Sequence, residues 1–403
     1  MNPEDLADRV RDGSLRIHEL EAHADADVAA AARRQFVEDE TGTSLEAIGD
    51  YTFDAADAEA NVENMIGAAQ VPMGIVGPIP VSGGTSTASR YLPLATTEGA
   101  LVASVNRGCA AMRAADGATA RVLKNGMTRA PVFRVAGVDE AAIVSAWVRD
   151  HTDQLADVAE STTSHGELRH VTPYVVGDNV FLRFAYDTKD AMGMNMATIA
   201  TEAACDVIES ETPAKLVALS GNLCSDKKPA AINSVEGRGR TVAADVSIPD
   251  TVVEEYFDTT PDAIAAVNTR KNHVGSAKAG ALGSNAHAAN TIAAAFLATG
   301  QDAAQVVEGA NAITTADVRE DGSLYASLTC ASLEVGTVGG GTTLPTQAEA
   351  LSVLGVGGGG DPPGSNADAL AETIATAALA GELSLLGALA SNNLASAHEE
   401  LGR

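Results

Sequence analysis

The sequence predicts an α+β protein: a large mixed helical and strand domain, a smaller α+β unit inserted into it, and a small helical amino-terminal domain. Three observations carry that expectation. Residues 3 to 60 are acidic and Ala-rich, with helical texture. After a break at Gly126–Pro131, strand-like runs such as Asn179–Tyr186 lie among helical segments as far as Leu219. Small-residue helical stretches then dominate to the end, with Thr373–Ala390 the most apolar. The expected boundaries are 1–62 for the amino-terminal domain, 63–130 with 220–403 for the large domain, and 131–219 for the insert.

A chain of 403 residues can hold two or three such units and bury a large core. Hydrophobic residues make up 45% and aromatics only 3%, so that core must be Ala, Val, Leu and Ile. A net charge of −28 would repel nucleic-acid phosphates, so no nucleic-acid partner is expected. The acids are dispersed and only seven lysines are present, against 19 arginines. That balance suits a salt-rich cytosol, where repulsion is screened. Cys109, Cys205, Cys224 and Cys330 lie far apart with no CxxC, which fits reduced thiols. Asn2–Arg11 is too polar for a signal peptide. Glu382 interrupts Thr373–Ala390, which reads as a buried helix rather than a membrane span. A cytoplasmic location without a membrane partner follows as an expectation.

In chain order, His18 and His23 do not share a helix face, and no metal site is expected. Between Glu63 and Val81, Gly67, Gly74 and Gly77 alternate with Pro72, Pro78 and Pro80, which excludes regular helix. This is a rigid turn system or a strand pair at an interface. Thr96–Gly99 is expected to open a helix, capped by Thr96 or Thr97, whose buried stripe is Leu101, Val105, Cys109 and Met112. Glu98 then sits in the first turn, where a carboxylate favours the helix dipole. Ser104, Asn106 and Arg107 fall on the flank, placed to meet a phosphate.

Within the insert, Asp190–Met196 sets three methionines around Gly193. They are flexible core filler or a soft apolar surface for a flat ring. The loop Ser220–Asn233 puts Lys227 beside Lys228, with Gly221 freeing the backbone and Pro229 stopping any helix. Its lysines either pair with surface acids or present fixed cations to an anion or developing oxyanion. Lys271 precedes a helical stretch, Val274–Thr299, whose polar members include His287 and Asn290. Asp302 is an N-cap candidate. Gly336–Thr343 has no following lysine and is not a P-loop. Gly355, Gly357 and Gly360 match GxGxxG, but Asp361-Pro362-Pro363 denies the helix start a Rossmann site needs. His398 stands alone near the end.

Taken together, six segments resemble the hydroxymethylglutaryl-coenzyme A reductase family: Glu63–Gly67, Thr97–Gly99, Asp190–Asn195, Asp226–Asn233, Gly300–Asp302 and Gly336–Gly341. They span roughly residues 60 to 400 in the family's order. The Lys-Lys wording and late His398 resemble its first class, eukaryotic and archaeal, in a soluble archaeal form. The resemblance implies four-electron reduction of the thioester to mevalonate and coenzyme A with two NADPH, feeding isoprenoid lipid synthesis. It implies Glu98 as catalytic acid, Lys227 facing the thioester oxygen, Asp302 linking the two, and His398 protonating departing coenzyme A on a mobile terminal flap. It places Arg129, Ser220, Asp226, Lys228, Lys271 and Asn290 around the hydroxymethylglutaryl group. Ser104, Asn106 and Arg107 become coenzyme A contacts; Ser164, Asp190, Met192, Gly193, Met194 and Asn195 become the NADPH platform of a ferredoxin-like insert. Glu63–Gly67 is implied at the interface of a homodimer or homotetramer.

Where the family's first class sets a Ser-Arg pair against the 2′-phosphate, His165 follows Ser164 here, leaving Arg169 as the substitute. Two rival readings are a serine acyl-enzyme using Ser225-x-x-Lys228 and a non-catalytic acyl-coenzyme A binder. The Ser-Asp-Asn and Lys-Thr-Gly partners of the former are absent.

Overall fold

The computed structural model describes residues 1–391. Its strands are β1 (Met73–Ser82), β2 (Thr87–Ala95), β3 (Ala118–Arg129), β4 (Val132–Arg134), β5 (Glu167–Val176), β6 (Asn179–Asp187), β7 (Lys215–Ala218), β8 (Gly239–Ile248), β9 (Ala312–Val318) and β10 (Leu324–Leu333). They run β7-β4-β6-β3-β8-β10-β9, with β5 beside β6 and a β1–β2 ribbon attached to β3. Pairing is antiparallel except where Val81–Ser82 of β1 runs along Ala118–Thr119 of β3.

β3 is the seam. Thr119–Gly126 pairs with β8 and Met127–Arg129 with β6. Its register slips between Val122 and Lys124, leaving Leu123 60% exposed. Such a bulge bends a strand, so one strand serves two cores. On one side Val76, Leu92, Leu94, Val105, Val242 and Ile292 belong to an aliphatic core with few rings, as the composition requires. On the other, Phe133, Val148, Leu182, Phe184 and Ile208 pack beneath the helices Val138–Asp150, Thr152–Glu160 and Met194–Glu211. A small third cluster, Leu6, Leu15, Leu20, Ala29 and Ala32, ties the amino-terminal helices Pro3–Arg11 and Ala26–Thr41 together.

The first core is threaded by the helix Ser365–Ala390, buried on every side. It is long and apolar enough to cross a membrane, yet 83% of its most apolar window is covered by the fold. Small residues let it approach the helix Leu101–Ala114: a Cβ on Gly108 would lie 2.0 Å from the Ala380 carbonyl oxygen. Its buried carboxylates have partners. Glu372 accepts from Gly84 N at 2.8 Å, and Glu382 accepts from Ala286 N, His287 N and the Thr314 hydroxyl, each at 2.7 Å.

Two helix boundaries differ from expectation. The helix after β2 starts at Leu101, because Ala100 is left-handed at φ 65°. Glu98 therefore lies in the connecting loop, its N–H bonded to the Thr96 hydroxyl at 2.9 Å. The stripe Leu101, Val105, Cys109 and Met112 is buried as predicted. Val274–Thr299 is not continuous: wide π-helical turns span Asn268–Gly275, Gly280 ends the next turn at φ 71°, and a new helix runs Ala288–Thr299. The GxGxxG run follows the helix Pro345–Leu354 rather than a strand, and the next helix waits until Ser365.

Candidate active site

Lys227 projects from the loop between β7 and the short helix Ala231–Glu236. Asn222, Ser225 and Lys227 are left-handed there, at φ 63°, 53° and 59°. Each such non-glycine residue costs on the order of 1 kcal/mol or more, so the surroundings must impose it. Gly221 N donates to Ala130 O at 2.6 Å, the Thr128 hydroxyl to Cys224 O at 3.3 Å, and Lys227 N to Glu308 Oε1 at 2.6 Å. Gly221 is needed for space rather than for turning: its Cβ would meet Val132 Cβ at 2.9 Å and the Phe181 ring at 3.0 Å.

The Lys227 ammonium meets Asp302 Oδ2 at 2.9 Å, and that bond holds its pKa above the usual lysine value. Asp302 is also the expected cap, accepting from Ala304 N at 3.1 Å. Asp226 is locked by Arg238 Nη2 at 2.9 Å and Gln305 Nε2 at 2.8 Å. Burial raises its carboxyl, but the Gln305 bond and the Arg238, Lys227 and Arg129 charges outweigh that and hold it low. Lys228 Nζ folds back on Asp226 O at 3.1 Å, and the Ser220 hydroxyl lies 3.7 Å from Cys224 Sγ. Arg129, at the end of β3, holds the Thr198 hydroxyl at 2.6 Å, tying the helix Met194–Glu211 to the same neighbourhood.

Among the described residues, the other expected members make no hydrogen bond or ion pair with Lys227 or Asp302. Glu98 is exposed, and among the described residues no hydrogen bond or ion pair joins its carboxylate to Lys227 or Asp302. The expected three-way convergence is thus two-way within one chain, because the loop after β2 holds Glu98 out in solvent. Lys271 is exposed on the π-helical turns, and Asn290 is partly buried in the first turn of Ala288–Thr299. His398 lies outside the described residues.

The coenzyme A trio divides. Ser104 Oγ and Arg107 Nε each lie 2.9 Å from Ser384 Oγ, and Arg107 Nη2 bonds Ser384 O at 2.8 Å. Asn106 is spent on β1, accepting from Gly77 N at 2.9 Å and donating to Ile75 O at 3.1 Å. The three do not form one phosphate cradle, since helical geometry turns Asn106 toward the ribbon. Asp190 also departs from a surface role. Its carboxylate accepts from Gly360 N and Gly364 N at 2.9 and 2.7 Å and from Asn366 N and Ala367 N, both at 3.1 Å. Asp190 therefore caps the helix Ser365–Ala390, and its acceptor capacity is filled.

The rest of that platform stays accessible. Met192 and Met194 are partly buried, Gly193 turns at φ 84°, and Asn195 is exposed. The helix Met194–Glu211 starts without a side-chain cap, which leaves N–H groups for an anion. Ser164 is exposed, while Arg169 is engaged by Asp187 and, at 3.3 Å, by Glu167. Among the described residues, no group of three or more His, Cys, Asp or Glu could hold a metal.

A sequence profile of hydroxymethylglutaryl-coenzyme A reductase matches residues 29–403. The 3-hydroxy-3-methylglutaryl-coenzyme A reductase of Haloferax volcanii is 70% identical over 398 residues, covering 99% of this chain and 98% of that one. The chain belongs to the hydroxymethylglutaryl-coenzyme A reductase family. The enzyme of that name from Halobacterium salinarum is also 70% identical, over 400 residues, with the same coverage of both chains. The fold is that of the family's structures: the class II enzyme of Streptococcus pneumoniae, described as bound to NADPH, superposes with TM-score 0.68 at 18% identity. That match covers 93% of this chain and all of the other.

Family membership disfavours the serine acyl-enzyme, and local geometry agrees. The Ser225 hydroxyl is buried and donates to Asn222 O at 3.3 Å, while Lys228 Nζ is turned to Asp226 O. Sequence reasoning missed the groups beneath the lysine loop: Arg238, Gln305, Glu308 and Glu334, all fully buried. One signal was available. Gly237-Arg-Gly-Arg240 alternates arginine with glycine at the entry to a buried strand, where every charge needs a partner.

Proposed function

We propose that this chain reduces (S)-3-hydroxy-3-methylglutaryl-coenzyme A to mevalonate and coenzyme A with NADPH, in a salt-rich cytosol. The observation that carries the reading is the Lys227–Asp302 ion pair, set on a strained loop in a chain of this family. Lys227 is 48% exposed at its side chain, free to reach a substrate oxygen while Asp302 orients it. Its ammonium stabilises the negative charge that develops on the thioester oxygen. Glu98 delivers the proton that the mevaldehyde oxygen requires. His398 protonates coenzyme A, whose thiol has an intrinsic pKa of about 8.5. Arg129, Ser220, Lys228, Lys271 and Asn290 surround the acid end of the substrate, and Asp226 fixes the loop that presents them.

The fit to NADPH rests on Met192 and Met194 as apolar surface, and on Gly193, Asn195 and the uncapped helix start as a phosphate seat. When bound, each of two NADPH molecules in turn would supply one hydride. The order β4–helices–β5–β6–helix–β7 with neighbours β7-β4-β6-β5 supports a ferredoxin-like unit over 131–219. Val71, Met73, Ile75 and Tyr91 are 38–51% exposed on and beside the β1–β2 ribbon, an apolar face that supports a homodimer or homotetramer. Association there would cover the nearby Glu98 loop.

The test is initial rates with NADPH and NADH on the thioester, with two cofactors oxidised per coenzyme A released. Lys227→Ala is expected to lower kcat about 10²-fold or more. Thioester-dependent oxidation at the wild-type rate in that variant would remove the assignment. His398→Gln should impair the thioester half while largely sparing free mevaldehyde, and equal loss of both halves would count against its role.

A further inference from the structure

Beneath the lysine loop lies a buried charge cluster that the proposed chemistry does not use. Arg238 is fully buried just before β8. Its Nη1 faces Gln305 Oε1 at 2.8 Å, Glu334 Oε1 at 3.2 Å and Glu308 Oε1 at 3.3 Å. Its Nη2 faces Asp226 Oδ1 at 2.9 Å and Met194 Sδ at 3.0 Å. One guanidinium thus touches the substrate loop, the segment following Asp302, the end of β10 and the first residue of the platform helix.

We propose that Arg238 and Glu308 form a brace that positions Lys227, with Arg238 fixing Asp226 directly and Glu308 fixing the Lys227 backbone. The claim deepens the reductase reading and rests on it for its kinetic arm. Glu308 Oε1 is the shared atom: it accepts from Lys227 N at 2.6 Å and lies within reach of Arg238. Glu308 is fully buried, and its carboxylate is the acceptor for the Lys227 N–H. The bond is made to a residue at φ 59°, the conformation that lysine would otherwise leave. Without the acceptor the loop relaxes, and the ammonium loses its registration with Asp302. Glu334 shares Arg238 Nη1 with Glu308 and Gln305, which anchors the guanidinium while its Nη2 holds Asp226 of the loop. Burial pushes the Glu308 carboxyl upward, while Arg238 and the Lys227 N–H oppose that rise, in line with an acceptor held between them.

The experiment compares Glu308→Ala, which deletes the acceptor, with Glu308→Gln, which keeps an oxygen in place. Two readings are taken on the full chain: amide exchange of the peptide covering residues 222–230, and kcat with KM for the thioester and for NADPH. Glu308→Ala is expected to speed exchange about tenfold and to lower kcat about 10²-fold, with KM for NADPH within about twofold. Glu308→Gln is expected to recover most of both losses, which a charge effect alone would not do. A folded Glu308→Ala with wild-type exchange and kcat overturns the brace, and so does a Gln variant as damaged as the Ala variant. Should Glu308→Ala not fold, Glu308→Asp, which withdraws the carboxylate by one methylene, is read by the same criteria. A wild type inert toward the thioester would fell the reductase reading, while the exchange arm would still judge the brace.

Discussion

Glu334 is fully buried, and among the described residues its carboxylate Oε2 has no hydrogen-bond partner. Burial pushes its pKa from an ordinary 4.5 up to about 8, with Arg238 opposing and Glu308 adding to the rise. The folded protein therefore keeps a proton that the unfolded chain gives up near 4.5. A raised carboxyl contributes stability fully below its unfolded pKa, and that contribution is lost as pH climbs through the folded value. The thermal midpoint of the wild type should thus fall between about pH 5 and 8 relative to Glu334→Gln, measured in one salt concentration. Parallel pH profiles for the two proteins would exclude Glu334 as the source. At this scale the sequence made Lys227, Asp302 and the Met192–Asn195 turn legible, because rare residue types and motif wording mark them. It left Glu308 hidden, because a partner across the core leaves no trace in local spacing, and it marked Arg238 only through the Gly-Arg-Gly-Arg run. Asp190 was legible as important but not as a helix cap, since the four backbone N–H groups that converge on it come from a helix start, and the loop before it, far along the chain.

Among elements, the contact between the helices Leu101–Ala114 and Ser365–Ala390 decides the large core. Gly108 faces the Ala380 carbonyl so closely that a methyl group has no room, and backbone on both sides cannot yield cheaply. Gly108→Ala is expected to destabilise by about 1–3 kcal/mol, read by denaturant unfolding. Gly359→Ala, where nothing lies within 4 Å, is the control and should change little. Equal stability of the two variants would mean that the helices slide apart at no cost. Periodicity predicted the buried stripe of Leu101–Ala114, since burial of one face dictates it, and the strand β6 showed as a short apolar run that is buried on both faces from Leu182 on. It missed the left-handed Ala100 and the break at Gly280, which are set by single backbone torsions and not by any repeat.

Over the whole molecule, a net charge of −28 makes self-repulsion the dominant long-range term. Salt that shortens the Debye length to about 3 Å at 1 M should relieve it. The unfolding midpoint is expected to rise from about 0.1 M to about 2 M KCl, and a flat response would remove charge screening as the explanation of this composition. The α+β class was readable from texture alone. The bend in β3 that divides the two cores was not, because it depends on a one-residue slip against β8.

The helix Ser365–Ala390 is gripped near both ends by residues from different layers. Asp190 and Arg240, the latter through Asp368, hold its start, and Ser104 and Arg107 hold Ser384 near its finish. It works as a surveyor's rod: the methionine turn is levelled against one end and the flank of Ser104 and Arg107 against the other. Shifting the rod by a single residue would misplace both marks at once, so neither end can drift in evolution without the other being recalibrated.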